Sequence, residues 1–284
     1  MQRWIYLCLF MMVLTIHTSQ AQSFGIRAGL NYSTFSGPAE ANVEKNKLSN
    51  GFHFGFTYSY PIYESLSLRG ELMYSQYGNK LEYNGETYFR INTSTVSLTE
   101  KGNTNINLKV NNTYLGIPIQ LQYTIKKKLE ITFGGYVNYL IQSRGAGNQR
   151  FESFDRPEDI VMRQTLSHNY KKDVAGGGSG TGPAVIVDED IVYLFKNTGA
   201  YYQFRSSEKS GNLYKNLDYG LTGGISYFIT KGFFVGLRYD YGLVDLTNNR
   251  MDPSKKSLDA NGEFIFKNDF DRHIAYGLSM GFRF

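Results

Sequence analysis

The sequence predicts an all-β fold: an eight-stranded antiparallel up-and-down transmembrane β-barrel with short periplasmic turns and long extracellular loops. Three observations predict it. Eight segments alternate large apolar residues with glycine or polar ones, which is the period of a strand. The connections between them alternate short and long. No apolar run of about eighteen residues, the length a spanning helix needs, follows position 21.

The chain opens differently. Arg3 precedes an apolar run from Trp4 to Ile16, and Ser19-Gln20-Ala21 ends it. A charged start, a short greasy stretch and a small-x-small finish read as a signal peptide over 1–21, cleaved after Ala21. The mature domain is then 22–284. The single cysteine, Cys8, lies inside the leader, so the processed chain has no disulfide, thiolate nucleophile or cysteine metal site. Its position after Ile5-Tyr6-Leu7 does not suit lipid attachment. The modest positive balance left after cleavage gives no argument for nucleic acid.

The strands follow in order. Phe24–Tyr32 sets Phe24, Ile26, Leu30 and Tyr32 against Gly25, Arg27, Gly29 and Asn31. Gly51–Tyr60 sets Phe52, Phe54, Phe56, Tyr58 and Tyr60 against Gly51, His53, Gly55, Thr57 and Ser59. Leu66–Tyr77, Thr113–Tyr123, Leu129–Ile141, Leu217–Ile229, Phe233–Leu243 and Ile274–Phe284 repeat the pattern. Short turns fall near Pro61–Ser65, Ile125–Lys128 and Thr230–Gly232. Long connections cover about 34–50, 78–112, 142–216 and 244–273. Tight turns at one end and long loops at the other are the habit of outer-membrane barrels.

Alternation alone does not say which file faces outward. Volume does: an eight-stranded bore is filled by modest side chains, and a file such as Phe52-Phe54-Phe56-Tyr58-Tyr60 would overpack it. Glycine agrees. Gly25, Gly29, Gly55, Gly116, Gly134, Gly220, Gly224, Gly236, Gly277 and Gly281 all sit in the polar file, where they leave room for long neighbours in a narrow lumen. The greasy file therefore meets lipid, with Tyr32, Tyr58, Tyr60, Tyr123, Tyr139 and Tyr241 near its ends as interfacial girdles.

These segments carry a resemblance. Gly25-Ile-Arg-Ala-Gly-Leu-Asn31, Gly51-Phe-His-Phe-Gly55, Glu71-Leu-Met-Tyr-Ser-Gln-Tyr-Gly78, Tyr114-Leu-Gly-Ile-Pro-Ile119, Gly134-Gly-Tyr-Val-Asn-Tyr-Leu140, Arg238-Tyr-Asp-Tyr-Gly-Leu243 and Gly281-Phe-Arg-Phe284 stand in order along the chain. The set resembles the PorT-like outer-membrane β-barrel family of Bacteroidetes. The resemblance implies eight strands, an outer-membrane location and, through one relative, a link to type IX export of surface proteins. Phe282 and Phe284 look like the C-terminal signal read by the outer-membrane insertion machinery. The loop over 142–216 is longer than a minimal member of that family has.

The lumen file collects Arg27, His53, Arg69, Glu71, Arg238, Asp240 and Arg283. Its expected role is a structural plug of paired charges; the alternative is a narrow ion path or solute site. Catalysis has few candidates: His168 with Asp155, Glu158 or Asp159, and His273 with Asp269 and Asp271. The expectation is a non-enzyme. Asp188-Glu189-Asp190 lacks the spacing of a calcium loop, and no cofactor or metal is expected. Ala175–Pro183 reads as a glycine-rich linker. Beyond it, Ala184–Phe195 and Tyr201–Ser206 flank Asn197-Thr198-Gly199 like a hairpin. Partners are expected to be outer-membrane lipid, the insertion machinery and an envelope protein held by the external loops. An export accessory is the first functional reading, a small passive channel the second, a rim hydrolase the third.

Overall fold

The computed structural model describes residues 22–38, 43–92, 97–187, 189–205 and 211–284. The leader expected over 1–21 lies outside them. Thirteen strands are present among the described residues: β1 (Ser23–Ser36), β2 (Glu44–Tyr63), β3 (Leu66–Asn92), β4 (Ser97–Ile125), β5 (Leu129–Ser153), β6 (Val161–Asn169), β7 (Gly178–Val187), β8 (Asp190–Thr198), β9 (Leu217–Phe228), β10 (Phe233–Gly242), β11 (Lys255–Leu258), β12 (Phe264–Phe266) and β13 (Arg272–Arg283). Eight of them close a ring in the order β1-β2-β3-β4-β5-β9-β10-β13, and β13 pairs back onto β1. Every pairing in the ring is antiparallel. The start of β1 and the end of β13 meet at the short-turn rim, where Gly25 pairs with Arg283.

The greasy file faces out. Phe52, Phe54 and Phe56 are 41%, 49% and 64% exposed, while His53 and Gly55 between them and Thr57 after them are buried. Glycine in the inner file makes room as its position demands: a Cβ on Gly116 would strike the Asn138 amide across the β4–β5 ladder.

Two expectations need correction. The described residues hold five strands beyond the eight that were expected, and the connections over 78–112 and 142–216 are built largely from strands. β3 runs 27 residues and β4 29, whereas a tilted strand crosses the hydrocarbon in about nine to eleven. Within the span 78–112, residues 78–92 and 97–112 continue these two strands as an antiparallel pair. Within the span 142–216, the described residues include the far half of β5 and then β6, β7 and β8.

One physical change explains both corrections. Along β3 the side chains alternate in and out without a break, but their polarity reverses. Below, Arg69, Glu71 and Ser75 are buried inside while Leu68 and Leu72 are exposed outside. Above, Leu81, Tyr83, Phe89 and Ile91 are buried inside while Lys80, Asn84 and Glu86 face out. β4 does the same: Ile117, Ile119 and Leu121 point outward, then Ile106, Leu108 and Val110 point inward. The lower part is built for lipid and the upper part for water. On β5 a bulge at Ile141, between the pairs Thr113–Gln142 and Tyr114–Leu140, marks the change.

The upper part holds two apolar cores. One unites Leu81, Ile106, Leu108 and Tyr114 with Leu166, Tyr170, Tyr201 and Tyr214 from the connections. The other, farther along, packs Phe89, Ile91 and Phe151 against Met162, Val185, Leu194 and Tyr202. Arg90, wholly buried, ties the β11–β12 hairpin down: its Nη2 donates to the Gly262 carbonyl at 2.7 Å and its guanidinium lies 4.3 Å above the Phe264 ring.

The expected linker at 175–183 is largely strand, because Gly178–Val187 pairs antiparallel with β8. The hairpin turns at Glu189, whose φ is 72°, and not at Asn197-Thr198-Gly199. Asn197 and Thr198 belong to β8 and also pair in parallel with β6.

Candidate functional site

The inner file of a closed ring converges on its axis, so polar residues far apart in sequence meet there. Glu71 stands at the centre. Its carboxylate, with no exposed side-chain surface, lies 2.9 Å from Arg27 Nη1, 2.9 Å from Arg69 Nε and 3.1 Å from Arg238 Nη1. Arg238 also reaches Asp240 at 2.7 Å. Asp240 accepts from the Thr222 hydroxyl at 2.6 Å and from Tyr77 at 3.1 Å. Arg27 Nη2 donates to Ser279 at 2.6 Å. Toward the short-turn rim, Arg283 pairs with Glu130, which also accepts from Gln122 at 3.0 Å and lies 3.7 Å from Arg69. His53 Nδ1 sits 2.8 Å from Asn31 Oδ1. All seven lumen residues named from the sequence are thus on the inside, and six of them share one ion-pair network.

The sequence reading missed Glu130, Asp218, Tyr77 and Tyr136. Asp218, fully buried, gathers the Tyr136 hydroxyl at 3.4 Å, the Asn138 amide at 3.2 Å and His273 Nδ1 at 3.4 Å. Each falls on the inner parity of its strand, and that parity was the available signal. Four arginines (Arg27, Arg69, Arg238, Arg283) thus meet three carboxylates (Glu71, Glu130, Asp240), while Asp218 is held by neutral donors and His273. Ionised groups persist in so dry a place only when paired and hydrogen-bonded.

Above this ladder the bore closes on rings. Tyr77 packs on His273 at 4.2 Å and on Tyr114 at 5.9 Å. Tyr170 meets Tyr214 edge-on at 5.0 Å, and the Tyr201 hydroxyl donates to the Tyr170 carbonyl at 2.8 Å.

The catalytic pairings weighed from the sequence do not assemble. His273 is a buried lumen residue beside Asp218; Asp271 instead accepts from Thr247 at 2.7 Å. His168 Nδ1 lies 3.0 Å from the Tyr170 hydroxyl, and Asp173 is the carboxylate it feels. Burial holds the His168 imidazole down to about 4, so it is neutral at pH 7. Among the described residues no cluster of His, Cys, Asp or Glu could hold a metal ion.

At the water-side rim, carboxylates crowd together. Burial, with Asp252, Asp269 and Asp271 nearby, pushes Glu44 up to about 7. Burial pushes Asp252 and Asp271 up to about 6.

The model of the outer membrane protein beta-barrel domain matches residues 19–248. The chain belongs to that family. It is a bacterial outer-membrane protein, and the exposed aromatic band of its ring is the lipid-facing wall. Among solved structures, this outer-membrane barrel is similar to Ail, the attachment invasion locus protein of Yersinia pestis: identity 12%, covering 93% of this chain and 100% of that one, with a TM-score of 0.35. It is similar to Neisserial surface protein A at 11% identity, 93% and 100% coverage and a TM-score of 0.38. It is also similar to OprG of Pseudomonas aeruginosa at 14% identity, 93% and 96% coverage and a TM-score of 0.33. No curated protein matches the sequence.

Proposed function

We propose that this outer-membrane barrel is a non-enzymatic component or accessory of an envelope machine for surface export. It works through the β-structured extension on its long side, which faces outside the cell. The observation that carries the reading is where the folded mass lies. β3, β4 and β5 continue far past the lipid band and carry two buried apolar cores with them, a framework that holds an external surface rigid. The lumen offers no rival task of comparable support, because its charges are spent on one another and its mouth is closed by tyrosines. In this reading Arg27, His53, Arg69, Glu71, Arg238, Asp240 and Arg283 form a structural plug. Residues 1–21 are a cleaved leader, and Phe282 and Phe284 carry the insertion signal. Phe284 donates its amide to the Phe24 carbonyl at 2.7 Å, which supports a last strand read at the seam. The ordered motifs from Gly25 to Phe284 support a place in the PorT-like, type IX-associated branch.

Deletion of the gene with a surface-protein inventory tests the export role, together with cross-linking pull-down from intact envelopes. Loss of several exported surface proteins and recovery of one envelope partner are expected. An unchanged inventory would sink the export role. Planar-bilayer recordings of the purified barrel are expected to be silent; stable conductance steps would favour a channel.

A further inference from the structure

The outward face of the extension carries like charges in register. Lys47 pairs across the ladder with Lys80, and Lys80 with Lys109, so three ammonium groups stand abreast on β2, β3 and β4. One ladder on, Arg150 of β5 faces Arg163 of β6. Like charges directly opposite each other destabilise a sheet. The carboxylates nearby answer only part of this. Glu82 pairs with Lys47 at 2.6 Å and Glu152 with Arg150 at 2.9 Å. Lys80, Lys109, Arg163 and Lys196 have no ion-pair partner among the described residues, and Lys109 donates only to the Asn50 amide oxygen at 3.1 Å.

Position gives this face its meaning. Leu48, outward and 48% exposed, directly follows Lys47 along β2. On β3 the row lies six residues past the outward Tyr74; at about 3.3 Å per residue and a tilt of about 45°, that is about 14 Å above the apolar wall. The row therefore crosses the headgroup layer obliquely, starting at the edge of the lipid band. Above it, Asn105, Asn107, Asn148, Thr165, Arg163 and Lys196 line a shallow groove of about 320 Å³. Amides and hydroxyls match sugar hydroxyls, whereas ammonium and guanidinium groups match phosphate. A glycerophospholipid would use the lysines but leave the amide groove idle. A sugar headgroup bearing phosphate uses both, and its acyl chains continue onto the apolar band.

We propose that the outward face of β2–β6 binds the phosphorylated saccharide headgroup of an outer-leaflet glycolipid. The lysine row holds phosphate and the groove holds sugar. This deepens the reading above and rests on the long side facing outward in a lipid bilayer.

The test uses the full chain in phosphatidylcholine nanodiscs that contain a minor fraction of bisphosphorylated lipid A glycolipid or its dephosphorylated form. Native mass spectrometry counts the glycolipid retained, and heat-modifiable gel migration reports folding. The wild type is expected to retain the phosphorylated form at least about tenfold better. K47Q/K80Q/K109Q is expected to lose about a hundredfold, since each basic group near an anionic surface contributes about a factor of five. K47R/K80R/K109R retains the glycolipid. Equal retention of both forms, or by the wild type and the glutamine variant while both migrate as folded barrels, overturns the site and leaves the membrane reading standing. A deacylated saccharide phosphate that competes as well as the whole lipid overturns the lipid assignment. Absence of a folded, heat-modifiable band in any nanodisc would instead overturn the membrane reading.

Discussion

Arg238 and Glu71 meet across the bore at 3.1 Å from strands that are not neighbours in the ring. Glu71 takes Arg27 and Arg69 as well, so one carboxylate holds three guanidinium groups together. Removing a single partner of a buried pair leaves charge uncompensated, at a cost of about 3–5 kcal/mol. Glu71→Ala is therefore expected to lower the urea midpoint of the heat-modifiable band by that much stability. Adding Arg238→Ala to it should recover part of the loss. Independent, additive losses would show that the pair is not coupled.

The reversal of polarity along β4 predicts opposite tolerance at two outward positions of one strand. Ile117 is 55% exposed on the lipid wall; arginine there is expected to cost about 2–4 kcal/mol. Asn103 faces outward on the water side, opposite Glu86 and Glu152, and arginine there should shift stability by no more than about 0.5 kcal/mol. Folding titrations into lipid vesicles check both, and equal costs would place the boundary elsewhere.

The lipid-crossing halves of the strands were legible because a large apolar file there alternates with glycine and polar residues. The lumen charges followed from the same parity. The rest was hidden for one reason: the pattern changes sign at the membrane surface. Lys80-Leu81-Glu82-Tyr83 and Asn105-Ile106-Asn107-Leu108 alternate as cleanly as Phe52-His53-Phe54, but with the apolar side chains inside. Read as a search for greasy outward files, they vanish into loops. Read as unbroken period-two segments of either sign, they extend β3, β4 and β5. His273 was misplaced similarly. It precedes the apolar run of β13, yet shares inner parity with Ala275 and Gly277. Asp218, its neighbour, lies 55 residues away, and no local spacing could pair them.

The farther apolar core should be separable from the barrel. Phe151 is fully buried and stacks on Phe89 at 5.0 Å. Phe151→Ala is expected to cost about 3–5 kcal/mol of local stability, seen as rapid proteolysis within β6–β8. The ring is held by its own ladders and by the Glu71 network, so heat-modifiable migration should persist. Joint loss of both would mean that extension and ring fold as a single cooperative unit.

The rim carboxylates give the protein a pH dependence opposite to that of ordinary paired acids. Glu44 is raised to about 7 and Asp252 and Asp271 to about 6, above the usual range near 4. Between those limits the folded rim binds more protons than the unfolded one, so stability falls as pH rises through the window. The contribution is fully present below about pH 4 and gone above about pH 7. Lys255, drawn down to about 8 by burial, acts only beyond that: folded Lys255 releases its proton first, so stability recovers as pH climbs from about 8 toward 10. Hydrogen exchange across 245–272, corrected for the intrinsic pH effect, should therefore be slower at pH 5 than at pH 7.5. Glu44→Gln should flatten the difference by removing the group that titrates highest. Faster exchange at pH 5 would reverse the sign and mean that these carboxylates are stabilised as anions by partners that outweigh their burial and mutual repulsion.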